Sequence, residues 1–201
     1  MTSPLITKTT HNMSKIKIVS IDIDGTLLND QREITQEVKS SIQQALENDV
    51  KIVITTGRPL PGVRDILSEL GIQGSDQYVI TYNGGLVQTA DGEKTLFRQP
   101  LGVKAFQEVN NFMRTQDTYV QVETHDAAYT TNHRIHPWAS FENSLVNLPL
   151  FVLDTENELK KVEFIKAIAN AESSELDKVQ AAIPNEISNH VNAVSYTHLT
   201  L

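Results

Sequence analysis

Apolar and polar positions alternate between two periods along this chain. Ile16, Ile18, Val19, Ile21 and Ile23 form a β-branched run within Lys15–Ile23, which predicts a strand buried on both faces. Val38, Ile42, Ala45 and Leu46 then recur at helical spacing. Thr35 is placed to cap that helix, and Glu37 adds negative charge to its first turn. "KIVITT" (Lys51–Thr56) predicts a second buried strand, ended by Gly57. Pro59 and Pro61 permit another helix to start, with Val63, Ile66, Leu67 and Leu70 as its apolar stripe and Gly71 placed to stop it. "QYVIT" (Gln77–Thr81) predicts a third strand, and "LVQT" and "KTLFRQ" flank Asp91-Gly92 as a hairpin. Strand, helix, strand, helix, strand implies an α/β fold with a parallel sheet and right-handed crossovers.

The pattern changes after Gln99. Val103–Met113 predicts an amphipathic helix, "TYVQVET" alternates like a half-exposed strand, and "AAYTTN" is its expected pairing partner. "LPLFVL" predicts a further strand, and "ELKKVEFIKAIANAE" predicts a helix. Strands with one wet face beside mixed helices suggest a separate α+β layer beginning near Leu101.

Ligands of open α/β sheets bind beyond the carboxyl ends of the strands. Asp22, Asp24, Thr56 and Asn83 all fall at or just past those ends. Two carboxylates held close together repel and resist desolvation unless something offsets them. A hard divalent cation such as Mg²⁺ does so, because it takes oxygen ligands from one or two carboxylates and from phosphate. Gly25 allows a sharp turn, and backbone N–H groups in such a turn can hold an anion.

"DIDGTLL" (Asp22–Leu28) resembles the first motif of the haloacid dehalogenase-like superfamily of phosphatases. "VITTGRP" (Val53–Pro59) resembles the second motif, and "VITYNGGLVQ" (Val79–Gln88) is similar to a segment of the Cof-type sugar-phosphatase subfamily. The likeness continues through "AAYTTN" and "NLPLF", so it covers nearly all of Lys15–Ala193. The resemblance implies a Rossmann-like core with an inserted cap. It implies that Asp22 is the nucleophile and that Asp24 is the general acid and then base. Both would ligate Mg²⁺, Asp24 through its backbone carbonyl. Thr56 and the Gly57 amide would bind the phosphate, and Arg58 and Asn83 are candidate substrate contacts. The implied reaction is hydrolysis of small phosphorylated metabolites, sugar phosphates above all, through an aspartyl-phosphate.

The chain departs from that family in one respect. The phosphate-clamping Lys and the G-D-x-x-N-D loop do not follow the cap segment, and no Gly-Asp dipeptide occurs anywhere. Lys160, Lys161, Lys166 and Lys178 lie in segments read as cap helix and do not match that Lys. The expectation is a C-terminally truncated fragment, inactive and poorly folded alone, with exposed strand edges. Residues 1–12 read as a disordered leader, 13–100 as the N-terminal part of the core, 101–193 as an incomplete cap, and 194–201 as a non-native tail. "VSYTHLTL" resembles the translation of a transposon-end sequencing adapter; the rival reading is a terminal strand.

Two other functions remain open. One is a non-enzymatic, receiver-like switch phosphorylated on Asp, which has no need of a general acid two residues beyond its phosphoacceptor. The other is a phosphotransferase or phosphomutase, which a cap-like segment after the third strand disfavours. Composition narrows the partners. A net charge of -8 argues against nucleic acid, and the absence of cysteine excludes disulfides and fits a reducing cytoplasm. No apolar run approaches membrane-spanning length. His125, His133 and His136 lack the spacing of a zinc site, and Trp138 and Phe141 read as cap packing.

Overall fold

The computed structural model describes residues 16–194 and contains two sheets in succession. The expected leader and residues 195–201 of the expected tail lie outside the described residues.

The first sheet has the order β1 (Ile18–Asp22), β2 (Lys51–Thr55), β3 (Tyr78–Thr81), β4 (Leu86–Thr89), β5 (Thr95–Arg98). The first three strands are parallel, and β4 and β5 add antiparallel as the expected hairpin. α1 (Gln36–Glu47) connects β1 to β2, and its N-cap is Thr35, whose hydroxyl accepts from Val38 N–H. A 3₁₀ turn at Leu60–Val63 leads into α2 (Arg64–Glu69), and Gly71 follows at φ 69°. Ile42, Ile52, Ile54, Leu60, Leu67 and Val79 meet in one core cluster.

β1 corrects an expectation. It is not buried on both faces: Ile16 and Ile18 are 67% and 64% exposed, and Ser20 and Asp22 are exposed too. Among the described strands β1 is an edge, so side chains suited to a sheet interior meet solvent there.

The second sheet has the order β8 (Leu150–Val152), β7 (Ala128–Thr130), β6 (Tyr119–Glu123), β9 (Lys166–Asn170). It begins after α3 (Val103–Thr115) with β6 (Tyr119–Glu123) and β7 (Ala128–Thr130), which pair antiparallel as expected. α4 (Pro137–Leu145) leads to β8 (Leu150–Val152), parallel to β7. The segment expected to form one helix over "ELKKVEFIKAIANAE" does not. A single turn, α5 (Glu156–Leu159), is followed by strand β9 (Lys166–Asn170), antiparallel to β6. Only then come α6 (Ser173–Ala181) and α7 (Asn185–Ser188). Pairing with β6 buries Ile168 and sets Ala167 and Ala169 against Val120, Val122 and Phe106, a gain that helix propensity does not match.

The two layers touch through specific contacts. Tyr82, Leu86 and Ile165 form a shared apolar cluster. The Tyr82 hydroxyl donates to the Thr124 carbonyl at 2.6 Å, and Arg98 pairs with Glu163. His125 Nε2 lies 3.0 Å from Gln88 Nε2, and His136 caps α4 by accepting from Trp138 N–H. Trp138 and Phe141 make an edge-to-face pair. No helix among the described residues is long and apolar enough to cross a membrane.

Candidate active site

Register places the candidate residues on one edge. Asp22 pairs with Thr55, and Thr55 with Ile80, so the three parallel strands end level with one another. Asp22 is the last residue of β1 and is exposed. The chain then turns over Ile23–Leu27, where Gly25 takes φ 76° and Leu28 N–H donates to the Ile23 carbonyl at 3.1 Å. That turn sets Asp24 facing the loop after β2, where Arg58 Nη2 donates to Asp24 Oδ1 at 2.7 Å.

The Thr56–Arg58 loop is pinned from several sides. Thr56 is buried, and Arg58 N–H donates to Thr56 Oγ1 at 3.2 Å. Its carbonyls accept in turn. Thr56 O receives Asn83 N–H at 3.1 Å, and Arg58 O receives Tyr82 N–H at 3.3 Å. Gly57 O receives Lys166 Nζ at 2.7 Å, from the second layer. Gly57 leaves room there for the Asn83 side chain, whose Oδ1 would lie 2.3 Å from a Cβ and would have to move to admit one. Tyr82, Asn83 and Gly84 all have positive φ, at 54°, 56° and 92°. Two non-glycine residues in that region cost on the order of 1–3 kcal/mol each, so the contacts to the loop hold a conformation the chain alone disfavours.

The structure therefore brings Asp22, Asp24, Thr56, Gly57, Arg58 and Asn83 to one edge. Asn83 stands behind Gly57 as a support. Sequence reasoning missed Lys166 and Glu123. Lys166 had been assigned to a helix, yet it opens β9 directly opposite Glu123 in β6. Glu123 Oε2 lies 3.3 Å from Lys166 Nζ, and the Glu123 side chain is 2% exposed. Burial pushes the Glu123 carboxyl up; Lys166 opposes that shift and Glu142 adds to it. The Tyr82 phenol is also raised, by burial first and then by the charges of Glu123 and Asp126.

As donors, the Asp22 carboxylate and the Asp24 carbonyl are hard oxygens, the chemistry that suits Mg²⁺. Among the described residues no group of three or more His, Cys, Asp or Glu side chains is placed to hold a metal ion. A cavity of about 520 Å³ adjoins the site, with Arg58, Arg32, Lys39 and Glu33 on its wall and Leu145 contributed by α4.

The match to known proteins decides the family. The profile of the haloacid dehalogenase-like hydrolases matches residues 19–201. The chain belongs to that family. A protein of Streptococcus pyogenes serotype M6, whose phosphatase name is itself only provisional, is 35% identical over 182 residues, which is 90% of this chain and 67% of that protein. The similarly named YxeH of Bacillus subtilis is 31% identical over 85% of this chain and 63% of its own length. The chain thus spans about two thirds of these relatives. A haloacid dehalogenase-like hydrolase from Bacteroides thetaiotaomicron superposes with a TM-score of 0.77 at 18% identity, over 91% of this chain and 68% of that one. The subclass IIB sugar phosphatase BT4131 superposes at 0.65 with 20% identity, over 84% and 64% of the two chains. Those two likenesses show the shared α/β fold of the family.

Proposed function

We propose that this family member is a Mg²⁺-dependent phosphatase of small phosphorylated metabolites, sugar phosphates among them, working through an aspartyl-phosphate. The observation that carries the reading is the level ending of β1 and β2, which puts Asp22, Asp24 and the Thr56–Gly57 loop on one edge.

Asp22 is the exposed carboxylate at the strand end and would attack phosphorus, breaking the bond to the leaving alcohol. Asp24 would give its proton to the departing oxygen. It would then take a proton from the water that attacks the aspartyl-phosphate, releasing phosphate and restoring Asp22. Arg58 holds Asp24 by Oδ1, so Oδ2 is the oxygen that can carry the proton. The Thr56 hydroxyl and Gly57 amide would bind the phosphoryl oxygens. The Asp22 carboxylate and the Asp24 carbonyl would hold Mg²⁺, whose charge would offset that of the phosphoryl oxygens. Both relatives carry phosphatase names, which supports the same reaction class.

The test is phosphate release from a panel of sugar phosphates, with and without Mg²⁺, by the protein encoded by the complete reading frame in source DNA. Asp22→Asn and Asp24→Asn should each remove turnover. If Asp24→Asn turns over normally, the acid–base role of Asp24 fails; if Asp22 is labelled and the phosphoryl group stays in the unaltered protein, the phosphatase reading fails and a phospho-Asp switch replaces it.

A further inference from the structure

We propose that Lys166, seated by Glu123, is a positioning residue that ties the second layer to the phosphate loop through the Gly57 carbonyl. Docking of that layer and the geometry of the loop are then one event. The inference rests on the proposed phosphatase reading only for its catalytic consequence.

Lys166 reaches across 109 residues of sequence to donate to Gly57 O, and its side chain is only 16% exposed. Ordering a lysine side chain costs up to about 2 kcal/mol of rotamer entropy, and desolvating its ammonium adds to that. Partners must offset the cost, and among those that do are the Gly57 carbonyl at 2.7 Å, the Glu123 carboxylate at 3.3 Å and the Tyr82 ring, whose centroid is 5.9 Å away. The β6–β9 register sets Glu123 directly opposite Lys166, so the pair is built into the second sheet before it meets the first.

The consequence follows from one rigid unit. The Gly57 carbonyl and the Arg58 N–H belong to the same planar peptide and point to opposite sides of it. Holding the oxygen on Lys166 therefore holds the N–H on Thr56 Oγ1, where it donates at 3.2 Å. With that oxygen accepting from Arg58, the Thr56 hydroxyl hydrogen is left to donate to a phosphoryl oxygen. The neighbouring carbonyls of Thr56 and Arg58 are held by Asn83 and Tyr82 of the first layer. Lys166 is the clamp on this loop that comes from the second.

Hydrogen exchange followed by mass spectrometry tests this without any turnover. In Lys166→Met, exchange in a peptide spanning Thr56–Arg58 should rise roughly tenfold or more, while β6 and α3 keep their protection. Lys166→Arg, which can still donate to the carbonyl, should preserve it. An unchanged loop in Lys166→Met overturns the proposal, and so does an equal rise throughout β6 and β9, which marks a general packing role. In the complete reading frame, Lys166→Met should lower kcat for p-nitrophenyl phosphate more than it raises KM. If the unaltered protein releases no phosphate, the phosphatase reading fails while the exchange result still decides the role of Lys166.

Discussion

Arg58 and Asp24, separated by 34 residues in sequence, meet in a charged hydrogen bond of 2.7 Å that joins the turn after β1 to the loop after β2. The pair is partly open to solvent, with side chains 16% and 34% exposed. Such pairs are worth about 0–1 kcal/mol of stability. Arg58→Ala should therefore shift the urea midpoint only slightly, yet lower the proposed phosphatase turnover by roughly tenfold or more by releasing Asp24. Equal losses in stability and turnover would argue that Arg58 is a structural brace alone.

Gly57→Ala should be costly for a different reason. The new methyl group must displace Asn83 Oδ1, which stands 2.3 Å from its position. Overpacking of this kind costs on the order of 1–3 kcal/mol, readable as a lowered urea midpoint. Asn83 has φ 56°, a region that glycine occupies freely. Gly57→Ala combined with Asn83→Gly should recover much of the loss, and strict additivity of the two changes would show that the clash is not its source.

Tyr82→Phe removes the hydroxyl that donates to the Thr124 carbonyl across the two layers at 2.6 Å. The ring stays in its cluster with Leu86 and Ile165. The expected loss is about 0.5–1.5 kcal/mol in thermal or urea unfolding, because the buried carbonyl of Thr124 loses a partner. No change would mean that the contact is replaced by water at no cost.

Glu123 makes stability depend on pH in a definite direction. Its carboxyl is raised in the folded state, by burial before all else, with Lys166 pulling it down and Glu142 pushing it up. Between the unfolded and folded values the native state binds more protons than the unfolded one, so stability falls as pH rises through that window. The favourable contribution is complete below the ordinary glutamate range and is lost as pH climbs through the raised value. Glu123→Gln should flatten this part of the stability–pH curve. A curve that keeps its slope in the variant would assign the effect to another group.

The amount of this site that could be read from sequence differs from residue to residue. Asp22 and Asp24 were legible because a buried-type strand seldom ends on two carboxylates without a ligand to offset them. Thr56 and Gly57 were legible as the end of a second such strand. The paired state of Arg58 was not, because nothing local shows which carboxylate a guanidinium will meet. Asn83 reads as a turn residue, and it is one, but its second role, filling the space beside Gly57, depends on two loops packing together. The misread segment around Lys166 shows the same limit. Phe164, Ile165 and Ile168 suit a helical stripe as well as a strand, and the choice was made by β6, more than forty residues earlier.

The sequence by itself determined the strand–helix–strand order of the first layer, its hairpin, and the carboxylates at the strand end. Each of these rests on local periodicity, capping or turn chemistry. The tertiary structure alone decided that β1 is an edge among the described strands, that 166–170 is a strand, and that Lys166 and Glu123 meet the loop. These outcomes depend on burial and pairing between distant segments, where the free energy of packing outweighs the small differences in local preference.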